Sequence, residues 1–271
     1  KMALEAGKNV VVEKPFTINT KEAEQLVALA EEKKLFISVY QNRRFDRDFL
    51  KVKDIISQNI LGEIKEVEIR FDRYRKLPSG KEHKENPNLA GAGTLHDLGA
   101  HLIDQAIQLF GFPQKLFADI TSLRNKNFAN DYFEILLFYP NELRVRVKTS
   151  ILTKEDHYAY KIHGTDGSFL QERTDNQENE LVSGAIPVYD ENWQKPLQNP
   201  DGILNYSNKN NETERILTES KPGNYMDYYQ KIYEHLVFGN HLPSPAKEII
   251  HNMKIIDAAQ ESSKFEKMVR F

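Results

Sequence analysis

The stretch Val10-Val-Val-Glu-Lys-Pro15 points to the fold class, because a short run of β-branched residues ends there on a charged tripeptide. Continuous apolar runs of this length are typical of parallel strands covered on both faces. A helical pattern over residues 21–33, with Thr20 as its expected N-cap, and a second apolar run over residues 35–40 follow it. This strand-helix-strand order predicts a parallel crossover unit of an α/β domain.

The hydrophobic period changes to two in the middle of the chain. Glu66-Val-Glu-Ile-Arg-Phe-Asp72 and Leu143-Arg-Val-Arg-Val-Lys-Thr149 alternate polar and apolar residues, which predicts strands of an antiparallel sheet with one wet face. We expect further strands over 132–139 and 158–163, helices over 48–59 and 225–238, and a final helix capped by Ser244 with Pro245 in its first position. Residues 174–222, rich in Asn, Glu, Pro and Gly, are expected to form an irregular insertion or lid.

Composition argues against several classes of partner. The 271 residues carry a net charge of −3 with both signs interspersed, which gives no electrostatic reason to expect nucleic acid or an anionic membrane. Apolar runs stay well short of the roughly 18 residues that span a bilayer. The absence of cysteine excludes disulfides and thiolate zinc sites. We therefore expect a cytoplasmic protein without a nucleic-acid or membrane partner.

A second stretch, Gly91-Ala-Gly-Thr-Leu-His-Asp-Leu-Gly-Ala-His-Leu-Ile-Asp104, carries candidate chemistry. If it is helical, Asp97, His101 and Asp104 share one face. A carboxylate beside an imidazole makes a general base that works near neutral pH. A helix N-terminus with an ordinary half-buried histidine explains the pattern equally well. A metal site from His96, Asp97 and His101 is a third interpretation, disfavoured because no His-x-x-x-His pair occurs.

Polar side chains at the ends of the two apolar runs are candidate binding residues. Pro15 ends strand pairing and biases Lys14 toward an extended conformation, so its ammonium should project from the strand end, either toward a substrate or cofactor or into solvent. Arg43 and Arg44 follow the second run and could bind a phosphate or substrate oxygen, or form surface ion pairs. Because adjacent arginines point in different directions, at most one should face the site.

Taken together, these motifs resemble the Gfo/Idh/MocA oxidoreductases. The residues concerned are 10–16, 42–46 and 93–104, with His163-Gly-Thr-Asp-Gly-Ser168 and Pro243-Ser-Pro-Ala-Lys-Glu248 similar to later landmarks of that family. Asn42-Arg-Arg-Phe-Asp46 and Phe71-Asp-Arg-Tyr-Arg75 are most similar to its NADP-dependent scyllo-inositol dehydrogenase group. The resemblance implies that residues 1–42 are the C-terminal remnant of a dinucleotide-binding Rossmann domain. Residues 43–271 would then be a substrate-binding and oligomerisation domain with a large, mostly antiparallel sheet flanked by helices.

The resemblance also implies a reaction and its residues. NAD or NADP would accept a hydride from a hydroxyl carbon of a sugar or polyol, an inositol-like substrate. His101 would remove the hydroxyl proton, Asp97 would hold the imidazole tautomer, and Lys14 would hydrogen-bond the reacting oxygen. We expect cofactor contacts from Glu13, Lys14, Pro15, Asn42 and Arg43, and substrate contacts from Arg44, Tyr74 and Asp104.

The start of the chain carries a further expectation. Met2-Ala-Leu-Glu-Ala6 resembles the last turn of a helix with Gly7 as its C-cap, so we expect residues to precede Lys1. The Gly-rich dinucleotide fingerprint is absent from the sequence, since Gly91-Ala-Gly93 lacks the third glycine and no predicted strand leads into it. We therefore expect these 271 residues to hold a dinucleotide poorly and to be inactive.

The resemblance also predicts how copies of the chain assemble, and the residues leave two alternative functions open. Members of the family assemble through the open face of the large sheet, which implies a homodimer or homotetramer through the faces around 64–72 and 143–149. One rival is a non-catalytic sugar-binding or assembly protein. The other is a metal-dependent isomerase or lyase that uses His96 and His101.

Overall fold

The computed structural model describes residues 1–155, 158–188 and 200–271. Its helices are α1 Met2–Glu5, α2 Thr20–Glu32, α3 Arg47–Ser57, α4 Glu82–Glu85, α5 Ala100–Phe110, α6 Gln177–Val182, α7 Met226–Phe238 and α8 Ala246–Phe265. A 3-10 helix spans Asn42–Phe45 and a π-helix spans Leu95–Gly99. The strands are β1 Val10–Val12, β2 Ile37–Val39, β3 Ile64–Arg70, β4 Lys115–Thr121, β5 Tyr132–Phe138, β6 Arg144–Ser150, β7 Tyr160–Gly164, β8 Gly167–Gln171, β9 Gly202–Ser207, β10 Thr213–Thr218 and β11 Val269–Arg270.

The predicted crossover unit is present near the start of the chain. β1 and β2 pair in parallel, and α2 connects them. The N-cap of α2 is Asn19 and not Thr20 as predicted, because Asn19 has the extended backbone and its side chain accepts from Glu22 N at 3.0 Å. The backbone N–H of Tyr40 donates to Val12 O at 2.8 Å, so the residues that follow both strands lie at one edge of the pair.

The remaining described strands form one sheet of nine, in the order β10-β9-β8-β7-β3-β6-β5-β4-β11. Only β3 and β6 pair in parallel within it. Side chains of β5 and β6 alternate between buried and half-buried, as their period of two predicts. The buried face packs under α5 and α8. The predicted fold class, a Rossmann-type unit followed by a large, mostly antiparallel sheet flanked by helices, is confirmed, whereas the division at residue 42 stays a prediction.

Part of the segment 174–222 is more regular than predicted. It contains α6 and the antiparallel pair β9–β10, which extends the large sheet beyond β8. Residues 189–199 of this segment lie outside the described residues. The sequence pattern misses β10 because it is an edge strand with mostly exposed side chains, so it shows no apolar alternation.

The beginning of α8 also differs from the prediction. Pro245 has an extended backbone and precedes the helix, so α8 begins at Ala246 and has no side-chain cap from Ser244. The reason is a contact with the crossover unit: Val39 N donates to the carbonyl of Ser244 at 2.9 Å. This contact ties β2 to the end of the segment that leads into α8. Each described helix is too short or too polar to span a bilayer.

Candidate active site

Lys14 and Asp97 form the contact at the centre of the candidate site. Lys14 follows β1, and its Nζ donates to the backbone carbonyl of Asp97 at 2.7 Å and to Asp97 Oδ1 at 3.0 Å. Burial lowers the pKa of Lys14, and the neighbouring carboxylate of Asp97 opposes that effect. Both side chains are largely buried. The pair therefore joins the end of the crossover unit to the π-helix.

A second lysine holds the other oxygen of the same carboxylate. Lys84 Nζ donates to Asp97 Oδ2 at 2.8 Å. Burial raises the pKa of Asp97, but the charges and hydrogen bonds of Lys14 and Lys84 outweigh it and hold that pKa well below its usual range. The sequence pattern gives no sign of Lys84, because this lysine lies in the short helix α4 within a polar segment that carries no motif. Asp97 is therefore a carboxylate fixed between two ammonium groups.

His101 lies on α5 and is only 5% exposed. Its Nδ1 is buried and has no hydrogen-bond partner among the described residues. Burial lowers the pKa of His101 well below its usual value, and the positive charges of Lys14, Arg43 and Arg173 lower it further. The imidazole is therefore neutral at neutral pH and can accept a proton on one ring nitrogen. Lys14 contacts Asp97 in the π-helix that runs directly into α5, so the ammonium and the imidazole are held by one continuous helical segment.

No hydrogen bond joins Asp97 to the His101 ring in the described part of the chain, in contrast to the expected orienting contact. The sequence pattern places both residues on one α-helix, whereas residues 95–99 form a π-helix and α5 begins at Ala100. Hydrogen bonds in a π-helix span five residues instead of four, so the four-residue stacking is not kept. A Cβ on Gly99 would lie 3.3 Å from the Phe133 ring, so this glycine allows close packing against β5.

Arg44 and Asp104 engage each other. Arg44 Nε donates to Asp104 Oδ2 at 2.7 Å and Nη2 to Oδ1 at 2.6 Å, and Asp104 is only 2% exposed. Gln105 Nε2 also donates to the carbonyl of Arg43 at 3.2 Å. These bonds fasten the 3-10 helix to α5 beside His101. Because both oxygens of Asp104 are occupied, the predicted substrate contacts of this pair stay predictions.

Arg43 and Tyr74 have different environments. The buried guanidinium of Arg43 donates through Nη1 to Asp46 Oδ2 at 3.1 Å and through Nη2 to Glu178. Its cofactor contact stays a prediction, and only Nε lacks a partner among the described residues. Tyr74 is exposed just beyond β3, with Lys154 Nζ 5.7 Å from the centre of its ring.

The structure gives no support to a metal site in the described residues. Within the described ranges, no group of three or more His, Asp or Glu side chains is placed to hold a metal ion. His96 is buried, and its Nε2 lies 3.2 Å from the carbonyl of Ile18. One nitrogen of the His96 ring is therefore already engaged by the protein.

Comparisons with known proteins identify the family of the chain. The family model described as the oxidoreductase family, C-terminal alpha/beta domain, matches residues 53–271. The model described as the oxidoreductase family, NAD-binding Rossmann fold, matches residues 1–41. Both are models of the Gfo/Idh/MocA group.

Individual relatives are similar over nearly the whole chain. YhhX of Escherichia coli strain K12, an uncharacterized oxidoreductase, is 40% identical over 97% of this chain and 74% of its own length. The scyllo-inositol 2-dehydrogenase (NADP(+)) IolW of Bacillus subtilis strain 168 is 37% identical over 98% of this chain and 73% of its own length. The solved structure of yvaA from Bacillus subtilis superposes with a TM-score of 0.92 at 35% identity, covering 99% of this chain and 75% of that chain.

Proposed function

The chain belongs to the Gfo/Idh/MocA oxidoreductase family. We propose that it functions as a dehydrogenase that oxidises a hydroxyl carbon of a sugar or polyol. The observation that carries the proposal is a lysine–aspartate contact beside a buried, neutral histidine. The activity named for IolW, at 37% identity, supports an inositol-like substrate and NADP as the electron acceptor. NAD is the alternative acceptor.

A nicotinamide dinucleotide would lie at the edge of the β1–β2 pair where both strands end. Ligands of open α/β sheets bind outside the carboxyl ends of parallel strands. Gln41, which lies at this edge, has a buried amide oxygen without a hydrogen-bond partner among the described residues. The residues that would hold the cofactor are Glu13, Lys14, Pro15, Asn42 and Arg43. A bound NAD or NADP supplies the acceptor for the hydride.

In the proposed mechanism, His101 is the base. A ring nitrogen of the neutral imidazole takes the proton of the substrate hydroxyl while the C–H electron pair leaves the same carbon as hydride, and a carbonyl forms. Burial keeps the histidine unprotonated in the free protein, which is the form that a base requires. The imidazolium that results is the proton carrier to solvent.

Lys14 stabilises the reacting oxygen. An ammonium group has three N–H donors, and two of those of Lys14 are bound by Asp97. The remaining donor is available to the substrate oxygen, on which negative charge develops as the proton leaves. Asp97, itself fixed by Lys84, acts as a positioning residue for the Lys14 ammonium. This role replaces the expected control of the His101 tautomer.

Assembly through the large sheet stays a proposal. Its outer face carries paired charges: Arg146 Nε lies 2.8 Å from Glu134 Oε1, and Lys148 Nζ lies 3.1 Å from Glu134 Oε2. A charged sheet face of this kind suits a second copy that presents the same pattern. Light scattering would contradict the proposal if the full-length protein were monomeric at all concentrations. A cytoplasmic location also stays a prediction.

The reaction is tested with the full-length protein and a panel of inositols, hexoses and pentoses, by following reduction of NAD and NADP. His101→Ala should lower kcat about 10²–10⁴-fold, the usual effect of a positioned base. His241→Ala is the matched control, because His241 is an exposed histidine outside the site. Equal turnover of the two variants would remove His101 from the mechanism. Ligand binding by wild type without reduction of either cofactor would favour the non-catalytic alternative.

A further inference from the structure

Three guanidinium groups surround the ring of Phe71, which follows β3. The guanidinium carbons of Arg43, Arg73 and Arg173 lie 4.7, 5.1 and 4.3 Å from its centre. Each contact with the aromatic face stabilises a cation, but the three like charges repel one another. Such a cluster requires compensating anions, which the protein or a ligand must supply.

The protein supplies anions to two of the three. Arg43 pairs with Asp46 and Glu178. The Nη1 of Arg173 lies 3.7 Å from Asp46 Oδ2 and 3.8 Å from Asp48 Oδ1. Neither separation is a hydrogen bond, so the Nε and Nη1 groups of Arg173 remain buried donors without a partner in the described ranges.

Arg73 differs from its two neighbours. Its backbone is held, since Arg73 N donates to Ser150 O at 2.9 Å and Thr153 N donates to Arg73 O at 3.1 Å. Its half-buried guanidinium forms no hydrogen bond or ion pair with any residue that the structure describes. Burial lowers the pKa of Arg73, and the charge of Arg75 lowers it further. Arg73 is thus a fixed, partly desolvated cation without a carboxylate partner in the described chain.

At the Lys14–Asp97 contact, positive charge exceeds negative charge. Two ammonium groups, those of Lys14 and Lys84, share the single carboxylate of Asp97. The charges of Lys14 and Arg73 both lower the pKa of the His101 ring, and of these two cations Arg73 is the one without a carboxylate partner among the described residues. A neutral polyol would leave this imbalance in place.

We propose that the substrate carries an anionic group, a carboxylate or a phosphate, and that Arg73 binds it, with the free donors of Arg173 beside it. This inference rests on the proposed dehydrogenase function, because it assigns the substrate class of that same site. The planar fork of a guanidinium matches two oxygens of either group. Buried N–H donors that lack a partner gain one when the anion binds, which favours binding.

An anionic substrate also strengthens the base. Burial, and in addition the positive charges around it, make His101 a weak proton acceptor in the free protein. A bound anion next to these cations favours the imidazolium and raises the pKa of His101 toward its ordinary value. The histidine is then a strong base only when a charged substrate occupies the site, which links substrate selection to catalysis.

Titration calorimetry on the full-length protein tests the proposal with D-glucuronate, D-glucose 6-phosphate and D-glucose. The two acids distinguish a carboxylate from a phosphate, and glucose is the neutral control. At least one acid should bind roughly tenfold or more tightly than glucose, as expected for hydrogen bonds to a charged group. Arg73→Gln should abolish this preference, and Arg73→Lys should keep only part of it. Arg215→Gln, an exposed arginine on β10, should leave it unchanged.

Three results would overturn the proposal: no binding of either acid, equal affinity for the acids and glucose, or a preference that survives Arg73→Gln in a folded variant. The readout is binding, so it is separate from the test of the dehydrogenase. Acid binding that depends on Arg73, with no cofactor reduction, would refute the redox function and keep the anion site. Oxidation of neutral polyols that is insensitive to Arg73→Gln would keep the redox function and refute the anion site.

Discussion

Lys14 donates two hydrogen bonds to a single residue, Asp97: one to its backbone carbonyl at 2.7 Å and one to its carboxylate at 3.0 Å. The two residues are 83 positions apart in the chain. Their contact therefore fixes the end of β1 against the π-helix that precedes α5. Because His101 lies on α5, the same contact sets where the ammonium stands relative to the imidazole.

Lys14→Met should remove the proposed donor to the reacting oxygen. We expect kcat to fall about 10²–10³-fold, the effect of deleting one donor to a developing oxyanion. Lys21→Met is the control, because Lys21 is an exposed lysine on α2. Steady-state kinetics of the two full-length variants provides the measurement. A loss confined to KM would show that Lys14 binds substrate without stabilising the transition state.

Lys84→Met should remove one of the two ammonium groups that hold the Asp97 carboxylate. It leaves Lys14, the proposed reactive lysine, in place. We expect a smaller fall in kcat than for Lys14→Met, with a lower free energy of unfolding at neutral pH. Because the pKa of Asp97 is depressed in the folded state, the stabilisation is present above about pH 4 and is lost as the pH falls further. Urea unfolding at several pH values, with the exposed Lys81→Met as control, measures the difference. A difference independent of pH would contradict the ion-pair explanation.

The His101 ring should remain neutral in the free protein throughout the physiological pH range. Its folded-state pKa lies below the ordinary 6.5, so its contribution to stability is present above that pH and is lost as the pH falls through the folded-state value. NMR titration of the ring signals, assigned with His101→Gln, measures this pKa directly. Addition of an anion that occupies the Arg73 site should raise it. A ring that titrates at or above 6.5 in the free protein would contradict its proposed environment.

The Arg44–Asp104 pair should act mainly by stabilising the fold. Removing one partner leaves a buried charge uncompensated, so Arg44→Met should cost about 3–5 kcal/mol of unfolding free energy. The double variant Arg44→Met with Asp104→Leu should recover much of this loss, because no buried charge remains. Unfolding by urea measures both variants. If folded Arg44→Met instead raised KM selectively with unchanged stability, Arg44 would be a substrate contact.

Local sequence signals predicted the framework of the fold. β1 is a run of three valines, and β2 contains two β-branched residues, so residue type predicts both strands, whereas β6 is predicted by its alternation. β10 could not be predicted from periodicity, because an edge strand buries little and need not alternate. The N-cap at Asn19 and the start of α8 were misplaced by one residue, since tertiary contacts decided which backbone was extended.

The candidate site was predicted less completely. Lys14, Asp97 and His101 are candidates because each lies in a motif, and their catalytic roles stay predictions. The sequence does not predict their mutual contacts. A π-helix cannot be recognised from side-chain spacing, so Asp97 was expected to face His101 and instead bonds the lysines. Lys84 and the pairing of Arg44 with Asp104 depend on contacts between distant segments, which periodicity does not encode.

Transfer of a labelled hydride tests the central claim most directly. The full-length protein is supplied with NADP or NAD and with scyllo-inositol or D-glucuronate carrying deuterium at the hydroxyl-bearing carbons, and the reduced cofactor is analysed by mass spectrometry. The expected result is one deuterium in the reduced cofactor for wild type and for His241→Ala, and a loss of about 10²–10⁴-fold in its rate of appearance for His101→Ala. Deuterium that appears at the same rate in His101→Ala, or product that forms without any deuterium in the cofactor, would contradict hydride transfer at this site.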